Sequence, residues 1–118
     1  MTRYTPDLFA ADHADLTAIR RDIHRHPETA FEERRTSQIV AEKLASWGIE
    51  VHRGLAKTGV VGVLLAGTSK RAIGLRADMD ALDVHETNKF DHKSTIPGKM
   101  HACGHDGHTV MLLGAAKY

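Results

Sequence analysis

The sequence feature that most constrains the fold is a short run of apolar residues in the middle of the chain, Val60–Leu65. A run of this length, apolar on both faces, is typical of a strand that other elements cover on each side. Short turn segments separate it from candidate strands over 50–55 and 72–77, which predicts antiparallel pairing of neighbouring strands. A sheet of this kind needs helices to cover its faces.

Two amphipathic helices are predicted ahead of these strands. Apolar residues recur at helical spacing over 12–26, where Pro27 ends the pattern, and again over 33–47, where Gly48 ends it. These helices supply part of the cover that the sheet requires. We therefore predict the α/β class, with a mixed β-sheet and flanking helices.

Potential metal ligands are concentrated in the segment Met100–His108, which contains the only cysteine and three of the nine histidines. Thiolate and neutral imidazole bind zinc and transition-metal ions far better than they bind magnesium or calcium. Cys103 and His105 are two residues apart, and in an extended segment they would point to the same side. The alternative is that the cysteine is a small buried apolar residue.

The residues after this segment predict a buried helix, with Asp106 as its N-cap and with Gly104 and Gly107 allowing sharp turns before it. A helix N-terminus carries partial positive charge, which favours the thiolate form of Cys103.

Two carboxylates, Asp78 and Asp80, follow the third candidate strand, at an end where open α/β sheets place ligand sites. One of them can orient a metal-bound imidazole such as that of His105. The alternative is that they cap the turn at the end of the strand.

Charge and composition exclude several classes of function. The chain has 16 basic and 15 acidic residues among 118, without a long run of like charge, so nucleic-acid and membrane partners are not expected. The N-terminal residues 1–10 lack the apolar core of a secretory signal, and no apolar run is long enough to span a bilayer. One cysteine agrees with a reducing compartment, and we predict a cytoplasmic protein.

Three segments resemble one known family. They are Arg21–Glu28, the run Arg76-Ala77-Asp78-Met79-Asp80-Ala81-Leu82, and the segment Gly98–Thr109. Together they resemble the metal-dependent amidohydrolases of the aminoacylase, hippurate hydrolase and carboxypeptidase G superfamily, and most of all the branch of hippurate and auxin-conjugate hydrolases. The resemblance implies the N-terminal part of a metallopeptidase-like catalytic domain.

The resemblance also implies site residues. Cys103 and His105 align with two ligands of a centre that holds two divalent ions (Zn, Mn, Co or Ni), with Cys103 bridging them. Asp80 aligns with an acidic residue of the catalytic machinery that assists the centre without ligating. His24 and His26 could lie at the rim of this site, although solvated positions in the last turn of a helix are the favoured interpretation. The implied substrate is an N-acyl amino acid or small peptide.

The family's general base and remaining ligands have no counterpart in this sequence. We therefore expect residues 1–118 to be a truncated N-terminal portion of the catalytic domain, without the dimerisation domain and inactive alone. One alternative is a homo-oligomer, in which an assembly module associates with itself through an open sheet. Another is an enzyme with Cys103 as nucleophile and His105 or His108 as base.

Overall fold

The computed structural model of the chain describes residues 7–118. The six residues before them, part of the stretch interpreted above as lacking a signal, lie outside the described residues. The regular elements, in chain order, are α1 (Asp7–Ala10), α2 (His13–Arg25), α3 (Arg34–Ser46), β1 (Glu50–Leu55), β2 (Gly59–Val63) and α4 (His105–Lys117).

Helices α2 and α3 confirm the two helices predicted from apolar spacing, each to within one residue at either end. Helix α3 ends as predicted, because Gly48 has φ +75°, a left-handed conformation that only glycine adopts at little cost. Local patterning was sufficient for both elements, since each buries one stripe and exposes the other.

The N-terminus of α3 is capped from outside the helix. Its N-cap residue, Glu33, makes no side-chain cap hydrogen bond. Instead, one carboxylate oxygen of Glu28 accepts from the backbone N–H and the hydroxyl of Thr36, both at 2.7 Å, and the other accepts from the N–H of Arg35 at 2.9 Å. A carboxylate at this position satisfies free N–H groups, and its negative charge interacts favourably with the positive end of the helix dipole.

The described sheet has two antiparallel strands, β1 and β2, which confirms the predicted hairpin. Glu50 pairs with Val63 and His52 with Val61, and an irregularity between Arg53 and Leu55 precedes the turn. The α/β class is thus confirmed.

The prediction of a third strand is wrong. Residues 72–77 form neither helix nor strand, and the side chains of Ile73 and Leu75 are 85% and 65% exposed. The predicted mixed sheet is therefore not present among residues 7–118, because a strand exists only where another strand satisfies its N–H and C=O groups. The backbone of 81–82 is fixed instead by two isolated bridges, Thr29 with Ala81 and Leu82 with Met100.

The apolar core lies between α3, the hairpin and α4, where Leu44, Ile49 and Leu113 pack together. Helix α2 packs closely on α4 at Gly114. A Cβ atom at this position would lie only 3.1 Å from Leu16 Cδ1, so the close approach of the two helices depends on glycine. This packing places α4, and with it the predicted ligand segment, against two other helices.

Among residues 7–118, every helix is too short or too polar to cross a membrane.

Candidate metal centre

The centre of the candidate site is His105, the first residue of α4. Its Nδ1 lies 2.9 Å from Asp80 Oδ1 and 3.0 Å from the Asp80 backbone oxygen, so it donates to this residue. The donated proton fixes the tautomer and leaves the lone pair on Nε2. Nε2 lies 3.7 Å from Asp78 Oδ1, on the side where a ligand could be held.

His108 completes a group of three possible ligands with His105 and Asp78. It lies one helical turn after His105, so both imidazoles project from one face of α4. Its Nδ1 is 3.9 Å from Asp78 Oδ1, and one ligand atom from each of the three residues lies within 4.8 Å of the others. Two imidazoles and a carboxylate suit zinc and several transition-metal ions.

Asp78 is ionised at neutral pH. A hydrogen bond from its own backbone N–H holds the pKa of Asp78 below its usual range, although partial burial opposes this, and His105, Arg76 and His108 lower it further. The hydroxyl of Thr109 donates to the Asp78 backbone oxygen at 3.1 Å and ties the residue to α4. The carboxylate is thereby kept in its ligating form beside the two imidazoles.

Cys103 is exposed, and the group of three donors does not include it. Gly104, with φ +82°, turns the chain between Cys103 and His105, so the same-side argument for an extended segment does not apply. The pairing of Cys103 with His105 in one metal centre stays a prediction.

The predicted N-cap of α4 is wrong. Gly104 occupies this position and Asp106, predicted as the cap, lies within the first turn. The Asp106 carboxylate is used elsewhere, because it accepts from Arg20 Nη1 at 3.1 Å and from His24 Nδ1 at 2.9 Å.

The favoured interpretation of His24 as a solvated residue is wrong, since the residue is only 6% exposed. Its Nδ1 faces Asp106 and its Nε2 lies 2.9 Å from Glu86 Oε1. His26, by contrast, is partly exposed at the end of α2 and its Nδ1 donates to the Asp22 backbone oxygen at 2.8 Å.

Glu86 was missed because it lies in a polar loop without periodicity, where a glutamate is ordinarily solvated. The loop folds back on α2 through Thr95, which donates to the Arg25 backbone oxygen from its N–H and its hydroxyl. This fold buries Glu86, whose side chain is 2% exposed.

His101 is the one buried polar side chain among residues 7–118 whose nitrogen atoms both lack a hydrogen-bond partner. It is 4% exposed, and its ring lies 6.2 Å from that of His24. Burial lowers the pKa of His101, which favours the neutral ring.

Glu86 should make stability dependent on pH. Burial by itself raises the pKa of Glu86, but the Ser94 N–H, the Asn88 amide and His24 together hold it below its usual range. A carboxyl with a lowered folded pKa stabilises the protein above its unfolded pKa of about 4.3, and this stabilisation is lost as the pH falls through the folded value. Urea unfolding should therefore show that the free energy of unfolding falls between pH 7 and pH 3. The fall should be smaller in Glu86→Gln than in the unmodified chain.

The matched control for this prediction is Glu50→Gln, since the Glu50 side chain is 64% exposed. Its curve should follow that of the unmodified chain. Identical pH profiles for Glu86→Gln and the unmodified chain would contradict the prediction.

Comparison with known proteins identifies the class. Residues 74–118 match the sequence model of peptidase family M20/M25/M40. The chain is 55% identical over 104 residues to the hippurate hydrolase of Campylobacter jejuni, covering 88% of this chain and 27% of that protein. It is 51% identical over 104 residues to the N-acyl-L-amino acid amidohydrolase of Geobacillus stearothermophilus, covering 87% and 28%.

A solved structure agrees with these sequence matches. The YXEP protein of Bacillus subtilis, described as a dinuclear metal binding peptidase from the M20 family, superposes with a TM-score of 0.86 at 38% identity, over 91% of this chain and 30% of that one. The chain is thus an α/β protein with the fold and sequence motifs of part of this peptidase family. The resemblance of the sequence to the superfamily of aminoacylases, hippurate hydrolases and carboxypeptidase G is confirmed by these matches, and the chain spans about a quarter to a third of the length of these relatives.

Proposed function

We propose that this chain supplies part of the metal centre of an amidohydrolase that cleaves the amide bond of N-acyl amino acids. The observation that carries the proposal is His105, whose Nδ1 is fixed by Asp80 at 2.9 Å while its Nε2 faces Asp78. The similarity to a hippurate hydrolase and an N-acyl-L-amino acid amidohydrolase supports the substrate class.

The residues present fit a divalent ion. Thiolate and imidazole favour zinc, and a set that also contains a carboxylate can hold manganese, cobalt or nickel. In the proposed site, His105 and Cys103 hold the metal, and Asp78 and His108 offer further donors. When bound, such an ion polarises a carbonyl oxygen and lowers the pKa of a water molecule. Asp80 accepts a hydrogen bond from the N–H at His105 Nδ1 and keeps the ring oriented, so it acts through His105.

We further propose that residues 1–118 form part of the catalytic unit and do not include the general base. The described part of the chain offers one group of three donors, whereas the Bacillus subtilis neighbour is described as dinuclear. An isolated chain of this composition should bind an ion without hydrolysing an amide.

The proposal can be tested in a chimera. The chain replaces the matched N-terminal region of the Campylobacter jejuni hippurate hydrolase, and hydrolysis of hippurate is measured with and without a chelator. We expect activity that the chelator removes and added metal restores, and a loss of about 10- to 100-fold in Asp80→Asn because an outer partner of a ligand is removed. Cys103→Ala and His105→Ala should lose more.

His52→Ala is the matched control, because His52 lies on β1 and its side chain is 53% exposed. It should retain the activity of the chimera. A folded chimera whose activity survives both the chelator and the loss of His105 would contradict the proposal. Activity that alkylation of Cys103 removes but a chelator leaves unchanged would favour the cysteine-nucleophile alternative.

A second candidate function is self-association. It is favoured by a segment of exposed apolar side chains, Leu64, Leu65, Ile73 and Leu75, which are 65–86% exposed. A groove of about 540 Å³ adjoins this segment and is lined by residues of α3, β2 and α4. Sedimentation velocity should then show a concentration-dependent dimer that Leu65→Lys weakens. A monomer at every concentration would contradict this function.

A further inference from the structure

A buried network of polar and charged side chains lies beside the candidate metal centre, and its members are not among the group of three possible ligands. His24 on α2 lies between two carboxylates that are 62 and 82 residues away in sequence, Glu86 and Asp106, each at 2.9 Å. The side chains of the three residues are 7%, 2% and 4% exposed respectively.

The polar groups of this network are complementary. Ionised carboxylates only accept hydrogen bonds, and each ring nitrogen of His24 lies within hydrogen-bond distance of one carboxylate. Arg20 adds a positive charge through its contact with Asp106 at 3.1 Å. Burying charge is unfavourable unless every group is paired, and an apolar cluster of similar volume is often at least as stable. The network provides direction, because its hydrogen bonds fix the distances and angles between its side chains.

The three residues belong to elements of different kinds. His24 lies on α2 next to Ile23, which is fully buried. Glu86 is anchored in its loop by the Ser94 N–H at 2.9 Å and the Asn88 amide at 3.2 Å. Asp106 lies in the first turn of α4, directly after His105. The network thus joins the start of α4 to the rigid helix α2.

Other anchors for the start of α4 involve the site itself. Gly104, the N-cap, has no side chain to cap the helix. Thr109 donates to the backbone of Asp78, and His105 donates to Asp80. Within residues 7–118, the other side-chain hydrogen bonds that hold the first turn from outside come from His24 and Arg20, both to Asp106.

We propose that Glu86, His24 and Asp106 are positioning residues that hold the first turn of α4, and thereby present His105 to Asp80 and Asp78. The consequence for metal binding rests on the proposed function. The positioning itself does not, because it concerns the mobility of the helix start.

The test uses His24→Gln, which keeps a donor to one carboxylate and loses the other contact. Amide hydrogen exchange is measured by NMR at His108 and Thr109, where the His108 N–H donates to the Gly104 oxygen at 3.0 Å. Affinity for Co²⁺ is measured by calorimetry under conditions where circular dichroism shows each variant folded. We expect exchange to be about 10-fold faster at these amides through local opening, and Co²⁺ affinity to be about 10-fold weaker.

Arg35→Gln is the matched control. It removes another ion pair of α2, between Arg35 and Asp22 at 2.9 Å, in which both side chains are about 40% exposed. Both readouts should stay at the values of the unmodified chain. If His24→Gln fails to fold, Glu86→Gln replaces it in the same two measurements, with smaller changes in the same direction.

Unchanged exchange at His108 and Thr109 in the folded variant would overturn the positioning role, whatever the metal result. Faster exchange with unchanged Co²⁺ affinity would overturn the link to the metal centre. Failure of the unmodified chain to bind Co²⁺ would count against the proposed function, while the exchange data would still decide the positioning role.

Discussion

His105→Ala is expected to abolish measurable Co²⁺ binding by the chain, a loss of about 100-fold or more in affinity, since truncating even an outer partner of a ligand costs 10- to 100-fold. The substitution removes the imidazole that lies between Asp80 at 2.9 Å and Asp78 at 3.7 Å. It leaves Asp78 and His108 as the remaining pair of the three-donor group, and two donors hold an ion weakly. Calorimetric titration of the purified chain would measure the change.

The absorption spectrum of the Co²⁺ complex would separate the two sets of possible ligands. If Cys103 ligates, the complex should show a thiolate-to-cobalt charge-transfer band that Cys103→Ala removes. If Asp78 and His108 supply the donors instead, the complex should show no such band, and Cys103→Ala should leave both the spectrum and the affinity unchanged. His52→Ala serves as the surface control, and full Co²⁺ affinity in His105→Ala would contradict the assignment of His105 as a ligand.

Ile23→Ala is expected to lower the free energy of unfolding by about 2–5 kcal/mol, the range for truncating a large aliphatic side chain in a core. Ile23 is 0% exposed and, among the residues whose burial the structure describes, is the larger of the two fully buried side chains. The loss includes both the transfer of the removed methyl and methylene groups and the cavity left behind. Because small domains are stable by only about 5–15 kcal/mol, this is a large share of the total. Urea denaturation followed by circular dichroism would measure it.

The matched control is Ile73→Ala, the same substitution at a side chain that is 85% exposed. Its effect should be within about 0.5 kcal/mol of zero, as for most surface substitutions. Equal losses at the two positions would show that Ile23 is not part of a cooperative core.

The residues of the candidate metal centre were predictable to different degrees. His105 stood out because imidazoles are dense in its segment, and Asp80 because it follows a candidate strand at a spacing typical of the family. The structure places these two in contact across 25 residues of sequence, at 2.9 Å. His108 and Asp78 were present in the same motifs, but nothing in the sequence showed that their ligand atoms lie within 4.8 Å of each other and of His105.

The network around His24 lay beyond the sequence altogether. A histidine in the last turn of an amphipathic helix is ordinarily solvated, and a glutamate in a polar loop equally so. Their burial depends on a loop 62 residues later folding back on α2 and on α4 packing beside it. No local sequence pattern predicts burial of this kind.

The sequence by itself determined helices α2 and α3, the hairpin of β1 and β2, and the family, because apolar periodicity, turn residues and motif spacing act over a few residues. Only the tertiary structure decided that residues 72–77 remain without a partner strand, that Gly104 rather than Asp106 begins α4, and that His24 is buried. These outcomes depend on which distant groups satisfy a backbone or a charge, and that is set by the packing of the whole chain.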